Sequence, residues 1–382
     1  MDYPKQKLDR MFKTKIEPKD QKYLLTIQNV LFYTKFEVML SVLKKIILFL
    51  ASFLLLFSFV SKNSVFADTT CHQYTVPLTI SPLDPTIYHI VGWLCIPENA
   101  TTVQLTLSGA TYSHVYWDFP YQPNHYSYTN YMNQQGYATF NIDRIGIGQS
   151  GHPAPELITI QANSFVAHQL IQDLRSGTIG TKSFQKVIVV GHSLGSGVAI
   201  DEAVTYGDVD GVILTGAIHN LNPDTAPLIA NAFYPAFLDP QFAGKNLAPG
   251  YFTTKPGGIR EQLFYYSPNA DPVVIATDEL TKETITDAEV AGIPTSVLGR
   301  ESLGIHVPTL EVNGQFDQIV CGGTVNCNDS VSVANNEQSF YSSDAHLQIY
   351  IAPDAGHDVN LHTNAHSTYT AINQWLQQHF SN

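Results

Sequence analysis

Beyond residue 67, apolar and polar positions fall into two alternating patterns. "KVIVV", residues 186–190, is apolar almost without a break, as a strand buried on both faces of a parallel sheet requires. Segments 74–80 and 88–96 are rich in β-branched and aromatic residues and are separated by Pro, Asp and Pro, which predicts a strand pair. "TTVQLTLSG", "GYATFNID", "DGVILTGA", "VPTLEVNG" and "HLQIYIAP" supply further strands. Between them the period changes. Residues 160–176 carry helical apolar spacing and stop at Gly177; 195–206 and "AHSTYTAINQWLQQHF" also read as helices. Strands alternating with helices predict an α/β fold, a mostly parallel sheet with helices on both faces.

One interval breaks the alternation. Roughly 85 residues separate "GVILTGA" from "VPTLEVNG" where one helix would suffice, and connections of that length are usually functional. The stretch is rich in Pro and aromatic residues, and its "TDELTKETITDAEVAGIP" reads as helical. We expect an inserted cap over about 219–305, resting on the sheet edge within a single domain of residues 68–382.

Charge is divided unevenly. The first 67 residues hold eleven of the twenty Lys and Arg but five of the thirty-three acids. Nine basic against twenty-eight acidic residues remain, a formal charge of −19. So acidic a body repels nucleic acid and anionic headgroups. The basic part has its own pattern. From Met39, Lys44 and Lys45 precede a fifteen-residue apolar run, 46–60, and Val65-Phe66-Ala67 offers small residues for cleavage. This is the pattern of a secretory signal, 39–67, cleaved after Ala67. The run is short for a membrane span of ~20 residues, so no stable anchor is expected after cleavage. Residues 1–38 then have no evident structural role and read as an upstream extension. Four cysteines follow the signal: Cys71, Cys95, Cys321 and Cys327. An even count in an exported chain reads as two disulfides. Three pairings are possible; the local one, Cys71–Cys95 and Cys321–Cys327, is simplest, and no CxxC spacing suggests zinc.

The chemistry enters at "VIVVGHSLGSGVAI". A buried strand runs into Gly191-His-Ser193-Leu-Gly195 and then a small-residue helix, which is the context of a nucleophile elbow. The glycines let the turn close; Ser193 sits at its apex; the Leu194 amide opens a helix whose dipole favours negative charge. An elbow predicts an acid and then a histidine, in that chain order. Asp317 follows "LEVNG", and His357 follows "LQIYIAP". With these residues in place the chain resembles the α/β-hydrolases over nearly all of 72–382. That resemblance implies Ser193 as nucleophile, His357 as general base and then acid, and Asp317 as the group fixing the imidazole tautomer. It also implies an oxyanion hole from the Leu194 amide and a second amide after a His-Gly pair. Here Ser108 stands where the histidine is usual and Gly109 is kept, which makes Ala110 the expected donor and Thr111 the second choice. Trp117, Asp118 and Phe119 are expected to pack this loop.

Rivals exist for two roles. His346, His362 and His366 compete with His357, and Asp224 with Asp317. His362 and His366 are spaced i,i+4, but no third ligand accompanies them, so no metal is expected. Gly146-x-Gly148-x-x-Gly151 matches a dinucleotide fingerprint, yet "HPAPE" follows where a helix should start. The segment "DRIGIGQS" instead fits the hydrolases' Asp-Arg-x-Gly-x-Gly-x-Ser turn, and no cofactor is expected. The expected function is a secreted serine hydrolase cleaving neutral or apolar small-molecule esters through an acyl-enzyme. Lactonase, thioesterase and amidase chemistry with the same triad, and a non-catalytic binding protein on the same fold, are the alternatives. The sequence says nothing of oligomeric state.

Overall fold

The computed structural model describes residues 69–380, together with 33, 37, 39–41 and 43–46. The chain divides into two units, Met1–Val65 and Phe66–Asn382. In the first, the described residues are helical. The expected signal is described only near its start; its apolar run beyond Ile46, its cleavage point at Ala67 and most of the 1–38 extension lie outside the described residues. Among the described residues no helix is long and apolar enough to cross a membrane.

The second unit is built on eight strands: β1 (Cys71–Ser81), β2 (Asp84–Cys95), β3 (Thr102–Leu107), β4 (Ala138–Ile142), β5 (Lys186–His192), β6 (Gly211–Thr215), then, after an insertion, β10 (Thr309–Gly314) and β11 (Gln348–Ala352). They lie in the order β1-β2-β4-β3-β5-β6-β10-β11. β1–β2 and β2–β4 are antiparallel and the rest parallel. Position in the sheet explains each strand's composition. β5 is central and buried from Val187 to His192, which only a continuous apolar run can satisfy. β1 is an edge strand with exposed positions interleaved among buried ones, so apolar residues alternate there. Cys71 stands opposite Cys95 in the β1–β2 register, and the two are disulfide-bonded; Cys321 and Cys327 form the second bridge.

Helices α1 (Pro123–Tyr126) and α2 (Tyr128–Gln134) lead to β4, and α3 (Ile160–Ser176) and α4 (Leu194–Thr205) flank β5. α3 shows why the pattern was readable. Ile160, Asn163, Ala167, Leu170, Ile171 and Leu174 form one buried stripe, the Thr159 hydroxyl accepts the Ala162 amide at 3.0 Å, and Gly177 ends the helix in left-handed backbone, φ 79°.

Between β6 and β10 lie α5 (Ala226–Ala232), β7 (Phe233–Pro235), β8 (Tyr251–Thr254), α6 (Ile259–Phe264), α7 (Pro272–Leu280), β9 (Ile285–Thr286) and α8 (Asp287–Ser296). The three strands form a small antiparallel sheet of their own. The single helical stretch expected over "TDELTKETITDAEVAGIP" is therefore two helices parted by a strand. β-branched residues cluster at Thr281–Thr286, where Ile285 pairs with Phe252, and a capping box between Thr286 and Glu289 starts a new helix. α9 (Ser330–Glu337) precedes β11, and α10 (Ala365–Phe380) closes the chain.

The chain leaves β3 towards β4 on one side, while β5 lies on the other. The carboxyl ends of β3 and β5 thus flank the point where the strand order reverses, the usual crevice for ligands in open α/β sheets. β3 is followed by Ser108-Gly109-Ala110 and β5 by Ser193.

Candidate active site

Ser193 forms the corner between β5 and α4, with φ 52° and ψ −117°. A non-glycine residue pays for such backbone with strain, so the surroundings must enforce it. They do. A Cβ on Gly191 would lie 2.5 Å from the Gly195 carbonyl oxygen, and one on Gly195 2.2 Å from the Leu107 carbonyl oxygen. The Ser193 amide donates to the Thr215 carbonyl at 2.8 Å, tying the corner to the end of β6. Ser193 is partly accessible, while Leu194 behind it is buried. As the first residue of α4, Leu194 has an amide with no acceptor within its helix.

His357 and Asp317 come together from separate loops. The imidazole Nδ1 lies 2.8 Å from Asp317 Oδ2, and both side chains are buried. Asp317 Oδ1 accepts the amides of Ile319 and Val320 at 2.8 and 3.2 Å, which fixes the carboxylate. With Nδ1–H donated to Asp317, Nε2 is the free acceptor; it is buried and has no hydrogen-bond partner. The Ser193–His357 hydrogen bond is thus not formed in this conformation, as is common in hydrolases without substrate. Burial disfavours the His357 cation, but the Asp317 charge and hydrogen bond outweigh it and hold the imidazole above its ordinary 6.5.

The loop after β3 is held closely. Gly109 approaches the elbow so nearly that a Cβ there would lie 3.1 Å from Ser193 Cβ. Ser108, in the place of the usual histidine, donates from Oγ to the Tyr112 carbonyl at 2.9 Å and helps close the loop. Arg144 donates from Nε to the Ser108 carbonyl at 2.8 Å and from Nη2 to the Gly109 carbonyl at 3.3 Å, and pairs with Glu289 of α8. The Thr111 amide is committed to the Thr284 carbonyl at 3.3 Å and the Tyr112 amide to the Gly109 carbonyl, whereas the Ala110 amide has no partner. Thr111 is therefore not an available donor, and Ala110 is. Trp117 and Phe119 are buried, and Asp118 accepts the Ser127 hydroxyl at 2.6 Å.

A second buried network was not foreseen. His192 accepts or donates to Thr215 Oγ1 at 3.0 Å through Nδ1 and meets Asp358 Oδ1 at 3.2 Å through Nε2. Burial, and the neighbouring His357, push its pKa well below 6.5, so it is neutral. The Tyr112 hydroxyl donates to Asp358 Oδ2. Burial and then Asp278 push the Asp358 carboxyl up to about 8. Arg260 of α6 lies over the Tyr112 ring at 4.3 Å, forks onto Asp278 at 3.0 and 2.6 Å, and donates to Thr111 Oγ1 at 2.8 Å. Asp358 follows His357 directly and was legible only as a flanking acid; His192 hid inside the elbow motif. Their partners lie far away in sequence, so no local spacing marked them.

The rival residues are elsewhere. His362 is a structural staple: Nδ1 donates to the Asp358 carbonyl at 2.9 Å, and Nε2 accepts the amides of Tyr266 and Gly356. Burial lowers its pKa to about 4. His366 Nε2 lies 2.8 Å from the Asn124 carbonyl, His346 sits in left-handed backbone before β11, and Asp224 is exposed. Gly146 to Gly151 form a turn around Asp143, whose carboxylate accepts the Gln149 amide at 2.8 Å.

A family model described as "Serine aminopeptidase, S33" (Hydrolase_4) matches residues 125–350. The chain belongs to that hydrolase family. The match contains Ser193 and Asp317 and stops before His357. Among solved structures, this S33-family chain is similar to a soluble variant of monoglyceride lipase from Saccharomyces cerevisiae, at TM-score 0.58 and 15% identity over 84% of this chain and 98% of that one. It is also similar to a protein described as an aryl esterase from Burkholderia cenocepacia, at TM-score 0.53 and 17% identity over 81% and 100%. The alpha/beta hydrolase GrgF from Penicillium sp. sh18 gives TM-score 0.52 and 15% identity over 81% and 100%. These likenesses establish a shared α/β-hydrolase fold. No curated protein matches the S33-family chain by sequence.

Proposed function

We propose that this S33-family hydrolase is an exported serine esterase acting on neutral carboxylic esters through an acyl-enzyme on Ser193. The observation that carries the reading is the buried His357–Asp317 pair, 2.8 Å apart, with the His357 ring 5.0 Å from that of His192, the residue just before a serine held at φ 52° at the corner of β5 and α4. His357 Nε2 takes the Ser193 proton as Oγ attacks the ester carbonyl carbon. The resulting oxyanion is received by the Leu194 and Ala110 amides. The alcohol departs with the proton from His357, and water, activated by the same imidazole, releases the acid and restores the serine. Two disulfides fit an oxidising compartment and support export. Labelling with a fluorophosphonate should place one phosphonyl group on Ser193, read by peptide mass; a protein that stays unlabelled while folded is a binding protein on this fold.

His357 must be neutral to act as base, so activity is lost as pH falls through its pKa. Because Asp317 holds that pKa above 6.5, the acid limb of kcat/KM against pH should be centred above 6.5. A limb centred below that value means the Asp317 charge does not act on the reacting imidazole.

The insertion supports the choice of neutral esters and is read as a cap. Three of its cations pair with carboxylates, Arg260 with Asp278, Lys282 with Asp239 and Glu279, and Lys245 with Glu283, while Lys255 and Arg300 meet the neutral Asn231 amide and Ser339 carbonyl. Phe264 lies 5.8 Å from the His357 ring, and Tyr266 stacks at 4.0 Å on Phe316, next to Asp317. An acyl chain beside His357 would meet these rings. With p-nitrophenyl esters, kcat/KM should rise from acetyl to butyryl, each buried methylene favouring binding by ~0.8 kcal/mol until the pocket is full. Succinyl esters should be poor. A succinyl ester that outperforms butyryl removes this account of specificity, and anilide, thioester and lactone substrates in the same panel test the related chemistries.

A further inference from the structure

At the opposite end of α4 from Ser193, a group of side chains has no role in the site above. Glu202, near the end of α4, is fully buried, and neither of its carboxylate oxygens has a hydrogen-bond partner. Asp208, in the turn between α4 and β6, has a second orphan, Oδ1, also buried. His168 of α3 completes the group, with Nδ1 2.8 Å from Asp208 Oδ2. One ligand atom from each of the three lies within 4.8 Å of the others.

When both carboxylates are ionised, three of their oxygens face inward without a donor, and a dry interior then requires either a shared proton or a bound cation. Neighbouring cations do not satisfy them. Arg175 spends its donors on the Asp208 carbonyl, at 3.2 and 2.6 Å, on Asp210 and on the Gln185 carbonyl. Gln172 donates to Asp208 Oδ2, the oxygen already facing His168. Burial, and then a hydrogen bond to Asp208 and its charge, push the Glu202 carboxyl up to about 10, so a bound cation would stand in place of the proton the two carboxylates otherwise hold between them. The imidazole is held in place by stacking on Tyr206, with ring centroids 4.1 Å apart. The site has an entry from solvent, because the His168 and Asp208 side chains are 28% and 17% exposed.

We propose that His168, Glu202 and Asp208 form a binding site for one divalent transition-metal ion, best matched by Zn²⁺, that ties α3 to the α4–β6 turn. One imidazole and two carboxylates suit zinc, with bonds of ~2.0–2.2 Å and a water completing the shell. Calcium and magnesium prefer oxygen ligands alone. The site is structural, remote from the elbow, and departs from the metal-free expectation raised by the sequence, since its ligands are scattered along the chain with no motif spacing. A second cluster of this kind among the described residues, His219, Glu311 and Glu337, differs in two respects. Its imidazole is bonded on both sides, to Glu337 at 2.5 Å and Ser302 at 2.9 Å, and all three residues are buried with no comparable entry.

The test uses the purified protein, stripped with a chelator and freed of it. ZnCl₂ is titrated at neutral pH by calorimetry, and thermal unfolding is followed with and without one equivalent of ZnCl₂, CaCl₂ or MgCl₂. The proposal expects 1:1 zinc binding at micromolar affinity or tighter and a rise in Tm of several degrees with zinc only. Glu202→Gln and His168→Ala should each weaken that binding by at least tenfold and lose the Tm response. Because His168 is partly exposed, its variant remains informative if Glu202→Gln does not fold. Three results overturn the proposal: no zinc response in the wild-type protein, equal responses in wild type and variants, or a response to calcium in place of zinc. The first would mean that Glu202 and Asp208 share a proton instead.

Discussion

Ser193→Ala should reduce ester turnover by about 10⁴-fold or more while leaving the fold and thermal stability close to wild type. The side chain is small and partly accessible, and the corner it occupies is enforced by Gly191, Gly195 and the Thr215 carbonyl, none of which uses the hydroxyl. Any residual rate should be the small excess over background hydrolysis that the amide donors and binding alone supply, and fluorophosphonate labelling should vanish. Relief of the strained backbone at φ 52° is not available to alanine, so no large stabilisation is expected. If the alanine protein retains more than a few per cent of the activity, the chemistry runs through another nucleophile and the proposed acyl-enzyme does not exist.

The second large effect separates two carboxylates that lie near His357. Asp317→Asn should lower kcat by a factor approaching ~10⁴, because an amide facing Nδ1 no longer enforces the tautomer that leaves Nε2 free to take a proton. The acid limb of the pH profile should move down at the same time, since the charge that raises the His357 pKa is gone. Asp358→Asn should cost less than about tenfold. Asp358 bonds Tyr112 and His192, and its carboxyl, pushed up to about 8 by burial and Asp278, is largely uncharged near neutrality. An asparagine there can keep both contacts. Equal losses in the two variants would mean that the charge acting on the imidazole is shared between them.

What the sequence made legible was what depends on nearby residues. The bounds of α3 and α10 follow from a stripe repeating every three to four positions, and those of β5 from an unbroken apolar run. The elbow was legible because steric closure demands glycine two positions either side of the serine, and Asp317 and His357 because chain order restricts them to two loops. The second network was not. Tyr112, His192, Arg260 and Asp278 each have an ordinary reading in sequence, as core, motif filler or surface charge, and acquire meaning only when α6 is laid beside the loop after β3. The small sheet of the insertion escaped for a similar reason. β9 has only two residues, and its pairing with β8 is decided by tertiary contact, not by period. Helix α2 and helix α9 were also missed; both are short and carry Asn, Ser or Tyr in place of a clear apolar stripe.

Thr111 has φ 62° and is fully buried, and nearly everything that holds it belongs to the insertion: the Thr284 carbonyl accepts its amide, the Glu283 amide donates to its carbonyl at 2.9 Å, and Arg260 donates to its hydroxyl. The adjoining Ala110 amide owes its aim to that clamp. It follows that the insertion is no interchangeable module. A chimera that grafts in a relative's segment, or trims this one to a short linker, would remove the bonds that hold the loop after β3 against Ser193. Specificity in such a scaffold has to be redesigned by changing individual side chains, with Arg260 and the 283–284 backbone pairing left untouched.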